Sequence, residues 1–119
     1  MNKNVKPLKN IKVLDLTHML SGPYGSMILA DLGCEVIKIE PPKKGEGTRR
    51  LLENDPDYSH NGMGAYFYTL NRNKKSVAID LKNQLGIDIF YELIKKADVV
   101  ISNFSAGVTK KLKIDLNLR

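Results

Sequence analysis

The chain has 119 residues, 42% of them hydrophobic and 27% charged, with 19 Lys+Arg against 13 Asp+Glu and a formal net charge of +6. That length allows one domain with one core, and the apolar share excludes a disordered tail. No apolar run approaches the roughly 18 residues of a membrane-spanning helix, the polar segment Met1–Asn10 lacks the apolar stretch of a secretory signal, and the single Cys34 excludes an internal disulfide framework or a cysteine-cluster metal site. The expectation is a reduced, cytoplasmic, mildly basic domain with no membrane partner. Its cations fall in short scattered groups (Lys43/Lys44, Arg49/Arg50, Arg72/Lys74/Lys75, Lys95/Lys96 and Lys110/Lys111/Lys113) rather than along one face, so nucleic acid is not an expected partner either.

In chain order, the β-branched and apolar run Ile11–Thr17 reads as a buried strand. Pro23 suits the first position of a following helix, whose apolar face is Met27, Ile28 and Leu32 and which Gly33 stops. Glu35–Glu40 alternates as a second strand, ended by Pro41-Pro42 because proline cannot donate to a ladder. A long polar loop follows at about residues 41–63, rich in Gly, Asp and Asn from Lys43 onward; so long a loop covers a site or is partly disordered. Tyr66-Phe67-Tyr68 reads as core packing rather than a base-stacking platform. Ser76–Asp80 is a third strand, and Asn83 caps a helix whose Leu85, Ile89, Phe90, Leu93, Ile94 and Ala97 follow the 3.6-residue period. Asp98–Ser102 is a fourth strand, Gly107 opens a basic helix through Lys113, and the chain ends at Arg119 without a capping signal.

Strands alternating with helical segments predict a parallel α/β sheet with right-handed crossovers, which binds ligands at the carboxyl ends of its strands. Those ends carry Thr17-His18, Glu40-Pro41, Asp80-Leu81-Lys82 and Asn103-Phe104. The turn after the first strand, Ser21-Gly22-Pro23-Tyr24-Gly25, has only G-x-x-G of the dinucleotide fingerprint, and Pro23 removes an N–H that a phosphate would use. Glu40 sits 18 residues after Gly22, near where a ribose-binding acid would stand, but the better reading gives both glycines to tight packing. Lys82 and Lys111 are candidates for phosphate contacts, set against the plainer reading of solvated surface lysines. His18 and His60 compose no nucleophilic constellation, and Cys34 reads as a small buried residue.

The segments VLDLTHMLSGPYGSMILADLGCEVIKIEPP, TLNRNKKSVAIDLK and ADVVISNFSAGVTKKL resemble the N-terminal part of the class III CoA-transferase (CaiB/BaiF) family, from about Leu8 to Leu112. The resemblance implies a Rossmann-like parallel sheet of about four strands with flanking helices, an incomplete part of a larger domain, in a cytosolic homodimer whose subunits interlock. It implies coenzyme A or acyl-CoA as substrate, with no resident cofactor, and a small carboxylic acid as acceptor. Carried over by position, the CoA contacts fall on Leu20 and Ser21, on Pro41, on Ile79, Asp80, Leu81 and Lys82, on Asn103, Phe104 and Ser105, and on Lys111. Lys111 stands where an arginine is common, Lys113 where glycine is usual, and Leu20 where some members have glutamine. The family's nucleophilic aspartate, which forms an anhydride and then an aspartyl-CoA thioester, lies beyond position 119 in the alignment, so this chain is expected to be inactive by itself. Two other readings stay open: the α-methylacyl-CoA racemase branch of the family, and a non-catalytic CoA- or nucleotide-binding module or folded remnant.

Overall fold

The structure is a computed structural model that describes residues 5–115. The first residues of the segment judged free of a signal, and the uncapped end at Arg119, lie outside the described residues. In chain order the elements are β1 (Lys12–Asp15), α1 (Ser21–Asp31), β2 (Glu35–Glu40), a 3-10 turn at Gly47–Arg49, β3 (Ser59–His60), β4 (Met63–Gly64), α2 (Ala65–Leu70), β5 (Lys74–Ala78), α3 (Gln84–Ile94), β6 (Val99–Ile101) and α4 (Val108–Lys111). The main sheet has four parallel strands in the order β5-β2-β1-β6, as an alternating α/β chain requires; β3 and β4 form a separate antiparallel pair. No helix among the described residues is long and apolar enough to cross a membrane.

Successive side chains of a strand point to opposite faces, and both faces of the central strands are covered. Val13 and Val36 pack with Ala30 and Cys34 on the α1 side, while Leu14, Leu16 and Ile39 pack with Ile79, Phe90 and Ile114 on the α3 side. Gly33 ends the α1 segment with φ +110, and Asn83 caps α3 by accepting from Leu85 N at 2.9 Å. β2 stops at Glu40, before the two prolines.

Several sequence expectations shift. Pro23 is the third residue of α1, not the first, and of the expected apolar face only Met27 is buried; Ile28 and Leu32 face outward. The third strand begins at Lys74, two residues before its expected start, because Lys74 pairs opposite Val36 and sends its ammonium inward to Asp15. On α3 the buried face is Gly86, Ile87 and Phe90, with Leu93, Ile94 and Ala97 beside it, whereas Leu85 and Ile89 are exposed. The long polar stretch is ordered by the 3-10 turn and by a hairpin whose tip, Asn61-Gly62, has positive φ at both residues, as a tight hairpin turn demands. Within the aromatic cluster, now part of α2, Phe67 is buried and Tyr68 exposed. Gly22 does pack tightly, against Thr17, but a Cβ on Gly25 would meet nothing within 4 Å.

Candidate functional site

A cavity of about 200 Å³ opens at the carboxyl ends of the strands. Leu16 and His18 line it after β1, Ile39, Glu40 and Pro41 at the end of β2, Ile79, Asp80, Leu81 and Lys82 after β5, Phe104 after β6 and Leu112 after α4. The wall after β5 is fixed by short-range chemistry. Asp80 Oδ1 accepts from Lys82 N at 3.0 Å, and α3 approaches so closely that a Cβ on Gly86 would lie 2.0 Å from the Asp80 carbonyl oxygen. Opposite, the His18 ring packs on Phe104 with centroids 5.3 Å apart. Burial holds the His18 imidazole below the usual histidine range, against the pull of Glu46, so the ring is neutral at pH 7.

Two further cavities adjoin the first. One of about 400 Å³ shares Leu81, Lys82 and Leu112 with it and adds Lys111 and Lys113. The other, of about 240 Å³, lies beyond Glu40 and Pro41 and is bordered by Lys43, Lys44 and Arg49. An apolar chamber flanked by cationic ones suits a ligand with an apolar or aromatic body and anionic groups.

Beneath the strand ends, on the α1 side, lies a buried polar network. Asp15 accepts from Thr17 N at 2.8 Å, from the Thr17 hydroxyl, from Ser26 Oγ at 2.6 Å and from Lys74 Nζ at 2.9 Å. Burial would raise its carboxyl, but the Lys38 charge and these hydrogen bonds outweigh that and hold it below the usual carboxylate range. Glu40 accepts from Arg49 Nε and Nη2, both at 2.7 Å, from Ser76 Oγ at 2.6 Å and from Glu46 N at 2.8 Å. Burial again opposes, yet those donors bring Glu40 down to about 2. Glu46 accepts from Met19 N at 3.1 Å, from Thr48 N and from the Thr48 hydroxyl, and Lys38 Nζ donates to the Thr17 carbonyl at 2.9 Å. Arg49 completes the network with its guanidinium 3.8 Å above the Phe67 ring.

Of the residues singled out in the sequence, the structure gathers Pro41, Ile79, Asp80, Leu81, Lys82 and Phe104 around the first cavity and Lys111 at the second. Leu20, the N-cap of α1, and Ser21, its first residue, are exposed outside the lining, as is Ser105. Asn103 bridges instead: its Oδ1 accepts from His18 N at 2.9 Å and its Nδ2 donates to His18 O at 2.7 Å. That bridge spans β1 and β6, the seam where the strand order reverses and where open α/β sheets bind ligands. Glu40 is no ribose acid, because both its oxygens are engaged within the protein. Sequence reasoning missed Lys38, Glu46 and Arg49. For Lys38 the available signal was charge inside the otherwise apolar strand Glu35–Glu40, which a strict alternation rule assigns to solvent; Glu46 and Arg49 lie in the polar stretch after that strand, where nothing local marks them.

The chain is 42% identical over 104 residues to the human (Homo sapiens) succinyl-CoA:glutarate CoA-transferase, covering 87% of this chain and 23% of that protein. It is 43% identical over 106 residues to the acetyl-CoA:oxalate CoA-transferase of Acetobacter aceti, covering 89% and 26%. It thus spans about a quarter of the length of these curated relatives. Among solved structures, a CAIB/BAIF family protein from Brucella suis superposes with a TM-score of 0.85 at 36% identity, covering 96% of this chain and 30% of that one, so the fold described here is part of a larger domain. The family model for CoA-transferase family III matches residues 8–117, and the chain belongs to that family.

Proposed function

We propose that this chain is the CoA-binding N-terminal part of an enzyme that transfers CoA between an acyl-CoA and a carboxylic acid. The observation that carries the reading is the cavity at the strand ends: its lining contains most of the positions that the family resemblance assigns to CoA, with lysines on its flank. The apolar chamber suits the adenine or the pantetheine arm, and Lys82 and Lys111 supply compact charges for the phosphates. Lysine keeps the charge that an arginine would bring to the second position but not its bidentate fork.

Catalysis is assigned to an aspartate outside this chain, because the carboxylates nearest the site already have structural tasks. Glu40 is held by Arg49, Ser76 and the Glu46 N–H, Asp15 is locked in the buried network and Asp80 caps the turn at Lys82, while Asp98 stands at the opposite end of the sheet, accepting from Lys12 N at 2.8 Å. The purified chain is expected to bind CoA and to catalyse no transfer. The racemase branch would use the same CoA site, and the residues separating the two activities are not among those described.

Calorimetric titration with CoA tests the reading. Lys82→Ala and Lys111→Ala should each raise Kd several-fold at low salt and by less in concentrated salt, where screening has already weakened the contact. A chain that melts cooperatively but releases no heat with CoA would instead be a folded remnant, and the proposal would fall.

A further inference from the structure

We propose that Lys38 and Glu46 are positioning residues for the CoA site, holding by its main chain the turn between β1 and α1 that sets His18 into the cavity wall. The proposal rests on the CoA-binding reading above and assigns work to two side chains that are each only 1% exposed and line none of the cavities described.

The turn has little of its own to keep its shape. Met19 lies at φ +68, a left-handed conformation that residues with a side chain seldom adopt, and Met19 and Leu20 are 53% and 54% exposed, so neither side chain fastens the turn to the core. Its main-chain groups are instead bonded by side chains from other elements. Lys38 of β2 takes the Thr17 carbonyl, Asn103 beyond β6 takes both the N–H and the carbonyl of His18, and Glu46 beyond β2 takes the Met19 N–H. The turn is therefore shaped from three directions by polar groups, two of them sealed from water.

Stability is a poor explanation for buried ions in these places. Well-packed apolar side chains of similar volume often serve a core equally well, and what they lack is direction. Hydrogen bonds aimed at consecutive peptide groups select one backbone path, and because both ions are buried, water does not replace the bond that a substitution removes. The path through Met19 is thus held by one donor and one acceptor, Lys38 and Glu46, that are sealed in the protein interior.

The experiment combines CoA calorimetry on the full chain with amide hydrogen exchange. In Glu46→Ala the Met19 amide should exchange faster while the core amides of Val13 and Val36 keep their protection, and Kd for CoA should rise about tenfold. Glu46→Gln retains an acceptor and should stay within about twofold of the wild type. Lys38→Met fills the same space without a donor and should behave like Glu46→Ala. Faster exchange at Met19 with unchanged CoA affinity would overturn the positioning role while leaving CoA binding intact. Loss of protection throughout the core in both Glu46→Ala and Lys38→Met would overturn it as well, by assigning these residues to stability. If the wild-type chain does not bind CoA, both proposals fall.

Discussion

Glu40, which stands near where a ribose-binding acid would, is instead a structural partner of Arg49. The carboxylate is enclosed, receives two charge-assisted bonds from one guanidinium, and titrates at about 2 instead of 4.5. Because the folded value lies below the unfolded one, the stabilisation is complete above about pH 4.5 and is lost as pH falls through about 2. That displacement corresponds to about 3 kcal/mol. Arg49→Met removes two of the four donors and the facing charge while Ser76 and the Glu46 N–H remain, so it is expected to be destabilised at pH 7 and to show a flatter decline between pH 4.5 and 2 than the wild type. Urea unfolding at a series of pH values measures both; parallel pH profiles for the two proteins would contradict the assignment.

Among the elements, α3 shows the contrast between an apolar face and a buried one. Its sequence carries two adjacent apolar stripes, and only the one built on Ile87 and Phe90 meets the sheet; Leu85 and Ile89 lie on the outside. The close approach at Gly86 decides which stripe turns inward, since no side chain fits between the helix and the Asp80 carbonyl. Gly86→Ala should cost about 1–3 kcal/mol through overpacking, and should also weaken CoA binding by displacing the turn that carries Asp80 and Lys82. Gly25→Ala, on the open side of α1, should instead stabilise by about 0.5–1 kcal/mol, because alanine is the better helix former and nothing obstructs its Cβ. Thermal melts of the two variants should move in opposite directions, and a stabilised Gly86→Ala would refute the packing account.

For the molecule as a whole, the outer strands of the sheet are the least covered parts. On β5 the residues after Lys74 are exposed, and on β6 Val99 is exposed. Leu20, Tyr24, Ile28 and Leu32, spaced by four along α1, add an apolar stripe 40–54% open to solvent. Uncovered strand edges and apolar stripes invite pairing. The 119-residue chain is expected to associate as its concentration rises, and the pair of substitutions Ile28→Glu and Leu32→Glu should weaken that association without loss of fold. Light scattering across a concentration series checks this; a monomer at every concentration would contradict it.

Local chemistry in the sequence determined where elements start and stop and what kind of sheet they build. Proline closes β2, Gly33 ends the α1 segment, Asn83 opens α3, and β-branched runs alternating with helical ones give parallel strands, because each signal acts within a few residues of itself. The positions Asp80 to Lys82 and Phe104 were legible as a site for the same reason, because they stand at strand ends, whereas Ile79 came only from the family resemblance. Burial of charge was not legible. Nothing near Lys38, Lys74 or Glu46 in the sequence marks them for burial, and only the folded chain brings Thr17 O, Asp15 and Met19 N within their reach, across 21, 59 and 27 residues. The same holds for Asn103, whose bridge to His18 spans 85 residues. A charged side chain stays in water unless distant partners repay its desolvation, and the distance between such partners along the chain is what the tertiary structure alone removes.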